Sequence, residues 1–593
     1  MPTPPTSLLA VARPLACCAA LLLAALAPAA AALPLLGLGS PPVVQVEVRE
    51  DPAADTWRAF YRLPSAAHGV EFVRARGAFR ALAWGATAVA GEPRWVVEGD
   101  RERLCFERPT RSFAVAFRTD FRPRHKDYEV NVPFADGGRL LYTGHLRVRP
   151  LDECEAAPGA GGDGAEAVAA PHHRWRFVTE PDRRVRVVDR EGRGELAWEP
   201  PPDDERGADI YVYFGTLAAQ ETDRAVLLLD PALPEWLARD VGARLPVLFD
   251  HYAAVTGVEL PYRPLVLLSA GARGDSGTSF SGGTLDGLVQ VAVEGAGWSS
   301  DDEETRRFWF HHLAHEVFHL WDGQLLRYDD ESEWLSEAAA ELFAFDAGLR
   351  FGFRPPGGPQ AWVIAKANQC LVDLGPEALL AAPASRGWDA VYSCGPVLLF
   401  VADRVVERAH PGVDGLSLLF REMFAEARAT SGEYGTGVFL GWLDKLGGDR
   451  DAVHALQSLI RRGLPHGLDR FLAHWLRHAG VPAALVPPES TAPPGDALGG
   501  LLRLSLVRCA CGSALPGDEG AGEECAALGA GRLQRVDEVD ARRDPGAALG
   551  SLRSAVTLQR PLRVVVDPRQ EPLLLLCGPD ALAWGFASFL ALD

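Results

Sequence analysis

The sequence has 593 residues and a mass of 63.9 kDa, which is too long for one compact domain, so we expect about two to four domains. Hydrophobic residues make up 48% and charged residues 23% of the chain, which excludes a largely disordered protein. The 59 Lys and Arg residues stand against 79 Asp and Glu residues, and the formal net charge of −20 argues against a nucleic-acid partner.

The first forty residues have the pattern of an export signal. Arg13 precedes a long apolar run from Leu15 to Ala32 that ends in small residues, which predicts a signal peptide over residues 1–32. The alternative is a retained membrane anchor, but two prolines interrupt a run that is only about as long as the shortest spanning helices. We therefore expect an exported protein, periplasmic or extracellular, with no integral membrane segment once the signal is removed.

Eight cysteines follow the signal, and an even number in an oxidising compartment permits disulfides. They fall into an early pair, a middle pair and a late group of four, so we expect pairing within each region. The eight are Cys105, Cys154, Cys370, Cys394, Cys509, Cys511, Cys525 and Cys577.

The order of local patterns along the chain predicts the domains. Residues 41–225 alternate apolar and polar side chains with frequent turn residues, which is typical of an antiparallel β domain. Helical spacing dominates residues 226–485, apart from a buried strand near the start of that region. A Pro-rich linker at 486–500 then precedes a β-rich tail at 501–593.

Residues 315–319 read His-Glu-x-x-His. On a helix, His315 and His319 share one face and can reach one ion, while Glu316 can address a water held by that ion. This is the zinc-hydrolase arrangement, with Glu316 as the catalytic base. The surrounding residues are nearly all apolar, which indicates a buried helix where two His and a Glu would be costly without a function. The alternative is a surface helix with a chance match.

A third ligand is expected from the next apolar helix. Glu337 lies 17 residues past His319 and is the best candidate. Glu341, one turn further on, could be the ligand instead, or a carboxylate that orients an imidazole N–H. His311 lies one turn before His315 and could line the same cleft or substitute as a ligand; we expect it at the rim.

The segment from His315 to Glu341, with two flanking segments, resembles the gluzincin metallopeptidases, most closely the aminopeptidase N and glycyl aminopeptidase families. The aminopeptidase N pattern has one more residue before the ligand Glu, which stands in Trp-Leu-Asn-Glu-Gly-Phe. Residues 334–339 here read Trp-Leu-Ser-Glu-Ala-Ala. The resemblance implies a thermolysin-like, mainly helical catalytic domain that holds one zinc ion per chain and hydrolyses peptide or protein substrates.

Residues 388–396 are similar to the segment of these families whose Tyr hydrogen-bonds the developing oxyanion, which implies that role for Tyr392. The alternative is a core aromatic residue at the start of an amphipathic helix.

Residues 282–287 (Gly-Gly-Thr-Leu-Asp-Gly) stand at about the position of the family strand that binds the α-amine of the substrate. This implies substrate binding by Asp286 and Gly283. The alternative is an ordinary turn, since Gly-Gly-x-x-Asp-Gly is also turn chemistry. Aminopeptidase rather than endopeptidase activity depends on Asp286.

The organisation of the glycyl aminopeptidase family implies the fold class: multidomain α+β, with the N-terminal β domain, the catalytic domain and a C-terminal β-rich module. Residues 501–593 resemble a degenerate PDZ domain, with a structural appendage as the alternative. The second functional hypothesis is a catalytically inactive gluzincin-fold protein, exported for binding or structure. Ala338 in place of Gly, the shorter spacing and Asp286 favour it. The sequence does not give the oligomeric state.

Overall fold

The computed structural model describes most of the chain from Val43 onward, and these residues belong to one unit, Val43–Asp593. The predicted signal peptide (1–32) and residues 487–500 of the predicted linker lie outside the described residues. The described ranges are 43–74, 79–88, 91–99, 101–121, 128–154, 171–200, 209–271, 277–385, 387–430, 432–464, 466–486, 533–541, 562–566, 573–575 and 589–592, with isolated positions between 502 and 555.

The N-terminal region forms strands with one short helix, α1 (Phe79–Ala83). Alternation of apolar and polar residues explains the strands. In the first strand Val44, Val46 and Val48 are buried, and the polar residues between them are more exposed. The strands are β1 (Val43–Asp51), β2 (Thr56–Phe72), β3 (Gly85–Ala88), β4 (Arg94–Glu98), β5 (Arg101–Arg118), β6 (Asn131–Pro133), β7 (Arg139–Tyr142), β8 (Val148–Leu151), β9 (His172–Val178), β10 (Arg184–Arg186), β11 (Glu191–Arg193), β12 (Glu195–Trp198) and β13 (Tyr211–Gly215).

These strands form two sheets. One has the order β12-β9-β1-β2-β5-β3, with β4 attached to β5 and β8 to β2; its pairings are antiparallel except that β1 runs parallel to β9. The other has the order β11-β10-β13-β7-β6. On β13, Val212 and Phe214 pack against the first sheet, whereas Tyr211 and Tyr213 face the sheet that follows. This explains why β13 is buried along its whole length.

A third sheet connects the β region to the helices. It has the order β14-β15-β16-β18-β17, with β15, β16 and β18 parallel and β17 antiparallel at the edge. A helix joins β15 to β16, as a parallel crossover requires. The elements are β14 (Gln220–Glu221), β15 (Val226–Leu229), α2 (Glu235–Thr256), β16 (Leu265–Gly271), β17 (Ser279–Leu285) and β18 (Leu288–Glu294).

Helices dominate the following two hundred residues. Asp302 caps the first of them by accepting a hydrogen bond from the Thr305 N–H at 2.8 Å. The elements are α3 (Glu303–Phe318), β19 (Arg327–Tyr328), α4 (Glu333–Arg350), α5 (Gly358–Leu374), α6 (Ala382–Ser385), α7 (Asp389–Ala409), α8 (Gly415–Ala429), β20 (Glu433–Tyr434), α9 (Thr436–Gly447), α10 (Arg450–Arg461) and α11 (Leu468–His478). The protein is therefore α+β, with an N-terminal β-sheet domain and a helical domain, as predicted.

The C-terminal region contributes short strands. Four of them form a sheet in the order β23-β22-β24-β25, and the last pairs antiparallel with β21. Val486, the first residue of the predicted linker (486–500), still belongs to β21, because its backbone pairs with Phe589. The PDZ-like assignment of 501–593 stays a prediction. The strands are β21 (Ala483–Val486), β22 (Arg535–Val536), β23 (Val539–Asp540), β24 (Leu562–Val565), β25 (Leu573–Leu575) and β26 (Phe589–Leu592).

Two disulfides join described cysteines, Cys105 to Cys154 and Cys370 to Cys394. They confirm the predicted pairing within the early and the middle region. Among the helices that the structure describes, we find none that combines the length and the apolar character needed to cross a bilayer.

Candidate metal centre

Two helices bring the predicted metal ligands together. His315 and His319 lie one turn apart at the C-terminal end of α3, and their Nε2 atoms are 3.2 Å apart. Glu337, in the first turns of α4, places Oε2 3.3 Å from the His315 Nε2 and 3.7 Å from the His319 Nε2. These three residues form the cluster that could hold a metal ion among the described residues.

The donor set fits zinc. Ligands about 2.0–2.2 Å from a tetrahedral zinc ion stand roughly 3.3–3.5 Å from one another. The three measured separations, 3.2, 3.3 and 3.7 Å, lie close to that edge length. The buried Oε2 of Glu337 makes no hydrogen bond, although it faces two imidazoles. Two imidazoles and a carboxylate are also a ligand set typical of catalytic zinc.

The carboxylates and imidazoles of this cluster shift one another's pKa values. Burial acts to lower the pKa of His315, but the Glu337 and Glu341 carboxylates outweigh it and raise that pKa to about 10. Burial acts to raise the pKa of the Glu337 carboxyl group, but His319 and His315 outweigh burial and lower that pKa. A cation would therefore meet an ionised carboxylate and would displace protons from the two imidazoles.

Glu316 is buried beside this cluster. Burial raises its pKa, against the opposing effect of His315 and His319. The Thr284 hydroxyl on the edge strand β17 lies 2.6 Å from the Glu316 carbonyl oxygen and 3.2 Å from Oε2. A buried carboxylate of raised pKa, held from a neighbouring strand, is suited to accept and return a proton.

Glu341 stands behind the first imidazole. Its Oε1 lies 3.5 Å from the His315 Nδ1, and its Oε2 lies 3.2 Å from the His311 Nε2. Lys366 on α5 donates to the same Oε2 at 2.9 Å and to the Tyr392 carbonyl oxygen at 3.0 Å. Glu341 thus sits where a carboxylate orients an imidazole, and His311 lies at the cleft wall.

Tyr392 lies in the first turn of α7, and its ring centroid is 6.1 Å from that of His315. Its side chain hydrogen-bonds Glu337, and burial together with the charge of Glu337 raises the pKa of the phenol. The phenol therefore keeps its proton and can act as a hydrogen-bond donor at the centre.

Asp286 and Gly283 lie apart from the cluster. Asp286 occupies the turn between β17 and β18, where its charge acts on the Tyr262 phenol, and it is not among the residues that line the cleft. A Cβ atom on Gly283 would lie 2.6 Å from the Tyr128 ring, so this glycine makes room for Tyr128. The placement supports the turn interpretation and does not support substrate binding by either residue.

A cleft of about 1000 Å³ opens beside the centre. His315, Glu316 and Tyr392 line its inner end, and β17, α3, α4 and α5 form its walls. A cavity of this size next to titratable groups of shifted pKa is typical of a substrate site.

Three residues of this region were not predicted. Thr284 and Lys366 contact Glu316 and Glu341, and both come from elements remote in sequence. Asp322 is fully buried in the turn after α3, and burial raises its pKa to about 7. Of these three residues, only Lys366 is unusual in the sequence, because lysine occurs three times among the 59 Lys and Arg residues.

A comparison with solved structures supplies the fold relationship. The aminopeptidase N family protein from Idiomarina loihiensis matches with a TM-score of 0.55 at 11% sequence identity, over 93% of this chain and 98% of its own. This chain has the aminopeptidase N fold. The predicted resemblance to the gluzincin metallopeptidases of this kind is thus confirmed at the level of the fold.

Two further solved structures match this chain with lower TM-scores. A substrate-bound variant of the M1 zinc metallopeptidase from Deinococcus radiodurans has a TM-score of 0.40 and 13% identity, over 72% of this chain and 96% of its own. Native yeast LTA4 hydrolase has a TM-score of 0.42 and 10% identity, over 72% and 68%. No protein-family model matches the sequence, and a search of the curated proteins gives no match.

Proposed function

We propose that this protein is an exported zinc-dependent metallopeptidase that acts as an aminopeptidase. The observation that carries the proposal is the convergence of His315, His319 and Glu337 to within 3.7 Å of one another, beside a cleft that holds Glu316. The aminopeptidase N fold supports the same conclusion.

In this proposal His315, His319 and Glu337 hold one zinc ion. When bound, zinc supplies Lewis acidity, which lowers the pKa of a water molecule and polarises the carbonyl group to be cleaved. Glu341 keeps the His315 ring oriented through Nδ1, and Lys366 fixes Glu341.

Glu316 acts as the general base. Its carboxylate takes a proton from the attacking water and passes it to the leaving amine. Thr284 holds that carboxylate at 3.2 Å, which limits its motion between the two transfers. The Tyr392 phenol, with its raised pKa, donates a hydrogen bond to the oxygen on which negative charge develops.

The choice of the free amino terminus is a separate part of the proposal. Asp286 does not line the cleft, so recognition of the α-amine would have to come from other carboxylates near β17. Comparing peptides with a free and with a blocked amino terminus tests this part. Cleavage of blocked peptides alone would show an endopeptidase.

Export completes the proposal. The pairs Cys105–Cys154 and Cys370–Cys394 support it, because disulfides persist in oxidising compartments and are rare in the cytosol.

The decisive experiment replaces Glu316 with Gln. Glu316→Gln should still bind one zinc ion per chain, while turnover of a peptide substrate falls about 10²–10⁴-fold, because only the proton acceptor is lost. Zinc content and kcat are measured on the same preparation. The matched control is Glu303→Gln at the exposed start of the same helix, which should leave kcat unchanged. Near-wild-type hydrolysis by Glu316→Gln would overturn the mechanism.

A catalytically inactive gluzincin-fold protein is the second candidate, favoured by the position of Asp286. The Ala338 methyl group, by contrast, is accommodated: it packs on Gly395, where an added Cβ atom would come within 2.4 Å of it. A wild-type chain that binds zinc stoichiometrically but cleaves no peptide, free or blocked, would establish the inactive protein.

A further inference from the structure

The outer part of the cleft is apolar. Its wall is formed by Phe345 on α4, Trp362 on α5 and Phe353 in the loop between those helices, with two adjoining prolines. Phe345 and Trp362 stack with their ring centroids 3.9 Å apart and an interplanar angle of 10°. The cleft thus passes from ionisable groups at the metal centre to a wall of aromatic rings.

This aromatic wall lies close to the reacting groups. Lys366 and Glu341 form an ion pair at 2.9 Å, and Glu341 contacts His315. Phe345 follows Glu341 by four residues and Trp362 precedes Lys366 by four, so the stacked pair stands about one helical turn, roughly 5.4 Å, beyond the ion pair. Neighbouring residues of an extended peptide are about 3.3 Å apart along the chain, so the wall is within reach of a side chain beside the scissile bond.

Small residues keep this space open. Ala344 and Gly348 lie on the same face of α4 and line the cleft beside Phe345. The charged lining residues Arg307 and Glu304 lie two and three turns along α3 from His315.

We propose that the aromatic wall binds a bulky apolar or aromatic side chain of the substrate at a position adjacent to the scissile bond. This inference rests on the proposed peptidase function. An aromatic side chain gains by leaving water and by packing against Phe345 and Trp362. A charged side chain would lose its hydration there without gaining Glu341 as a partner, because the Glu341 carboxylate is already bound to Lys366 and His311.

The test compares three peptides, Phe-Ala-Ala, Ala-Phe-Ala and Ala-Ala-Ala, with the zinc-loaded full chain. One of the two Phe peptides should be cleaved with a kcat/KM about 10- to 200-fold above that of Ala-Ala-Ala. Trp362→Ala should reduce this ratio by roughly tenfold, because it removes one ring of the stacked pair. Trp362→Phe should preserve most of the preference.

Trp442→Ala is the matched control, because Trp442 is a half-buried tryptophan on α9 that does not line the cleft. It should leave the ratio unchanged. Equal kcat/KM for all three peptides, or a preference that Trp362→Ala retains, would overturn the inference while the proposed function stands.

Binding separates the two failures. Equilibrium dialysis of the same peptides against Glu316→Gln measures recognition without turnover. In one outcome the wild-type chain cleaves nothing, yet a Phe peptide binds at least tenfold more tightly than Ala-Ala-Ala and Trp362→Ala abolishes the difference. The proposed function then fails, while the inference about the aromatic wall stands. If no peptide is cleaved and all bind equally, both are overturned.

Discussion

Lys366 holds two parts of the centre at once. Its ammonium group bonds the Glu341 carboxylate, which contacts His315, and the carbonyl oxygen of Tyr392. It therefore connects the orientation of a metal ligand to the position of the phenol. We regard it as a positioning residue, since it touches neither the proposed ion nor the reacting atoms.

Replacing Lys366 with Met should weaken zinc binding about 10- to 100-fold, because Glu341 loses the cation that fixes it and holds the His315 ring less firmly. Competition with a chelator at neutral pH measures the affinity. Lys366→Arg keeps the charge and should recover part of it. Lys445→Met, on α9 over the Trp442 ring, is the control and should bind zinc like the wild-type chain. Unchanged affinity in Lys366→Met would contradict the positioning role.

The residues of the centre differ in how visible they are in the sequence. His315, His319 and Glu337 could be predicted, because helical periodicity relates residues four apart and the next apolar helix carries a carboxylate. The contacts of Thr284 and Lys366 could not, although lysine is rare in this chain, since each residue reaches the centre through packing between elements remote in sequence. Substrate binding by Asp286 stays a prediction, and the hairpin between β17 and β18 agrees with the turn that the same six residues also indicated.

Among the elements, strand β9 carries a buried histidine. The His173 Nε2 accepts a hydrogen bond from the Val148 N–H on β8 at 3.1 Å, and its side chain is 1% exposed. Burial, with a smaller effect of Arg147, lowers the pKa of His173 from 6.5 to about 3. The folded chain therefore holds this imidazole neutral.

The consequence is a loss of stability in acid. Between pH 6.5 and about pH 3, His173 is protonated in the unfolded chain and neutral in the folded chain. Its contribution to the free energy of unfolding therefore decreases by about 1.4 kcal/mol for each unit by which the pH falls. His173→Gln keeps an acceptor for Val148 and should flatten this slope in urea titrations from neutral pH to about pH 4.5. An unchanged slope in His173→Gln would refute the assignment.

The elements themselves were largely predictable. Alternation over the N-terminal region and apolar helical spacing around His315 indicated strands and helices where the structure has them. The order of strands within the sheets could not be predicted, because β1 pairs with β9, more than one hundred residues away, through backbone groups that carry no sequence signal. The stacking of Phe345 on Trp362 likewise depends on how α4 and α5 pack.

At the scale of the whole molecule, the last strand is fastened to the helical domain. Asn368, fully buried on α5, donates to the Leu590 carbonyl oxygen at 2.8 Å and accepts from the Leu590 N–H at 2.7 Å. Asn368 lies two residues after Lys366. The C-terminal strand β26 thus supports the helix that carries part of the cleft wall.

Asn368→Ala should lower the free energy of unfolding by about 2–4 kcal/mol, because it leaves the buried N–H and C=O of Leu590 without partners. Urea denaturation of the full chain measures this. Gln369→Ala, the neighbouring residue that bonds Asp373 on the same helix, is the control and should change stability by less than about 0.5 kcal/mol. Faster hydrogen exchange at Leu590 should accompany the loss. A change in Asn368→Ala as small as that of the control would contradict this account.

The bridge from Cys370 to Cys394 has a consequence for when the cleft becomes complete. It fastens α5 to α7, four residues beyond Lys366 and two beyond Tyr392. While both thiols are reduced, as they are during synthesis, this fastening is missing and the phenol is less firmly placed. Under the proposed function and export, the newly made chain would have little peptidase activity until this bridge forms.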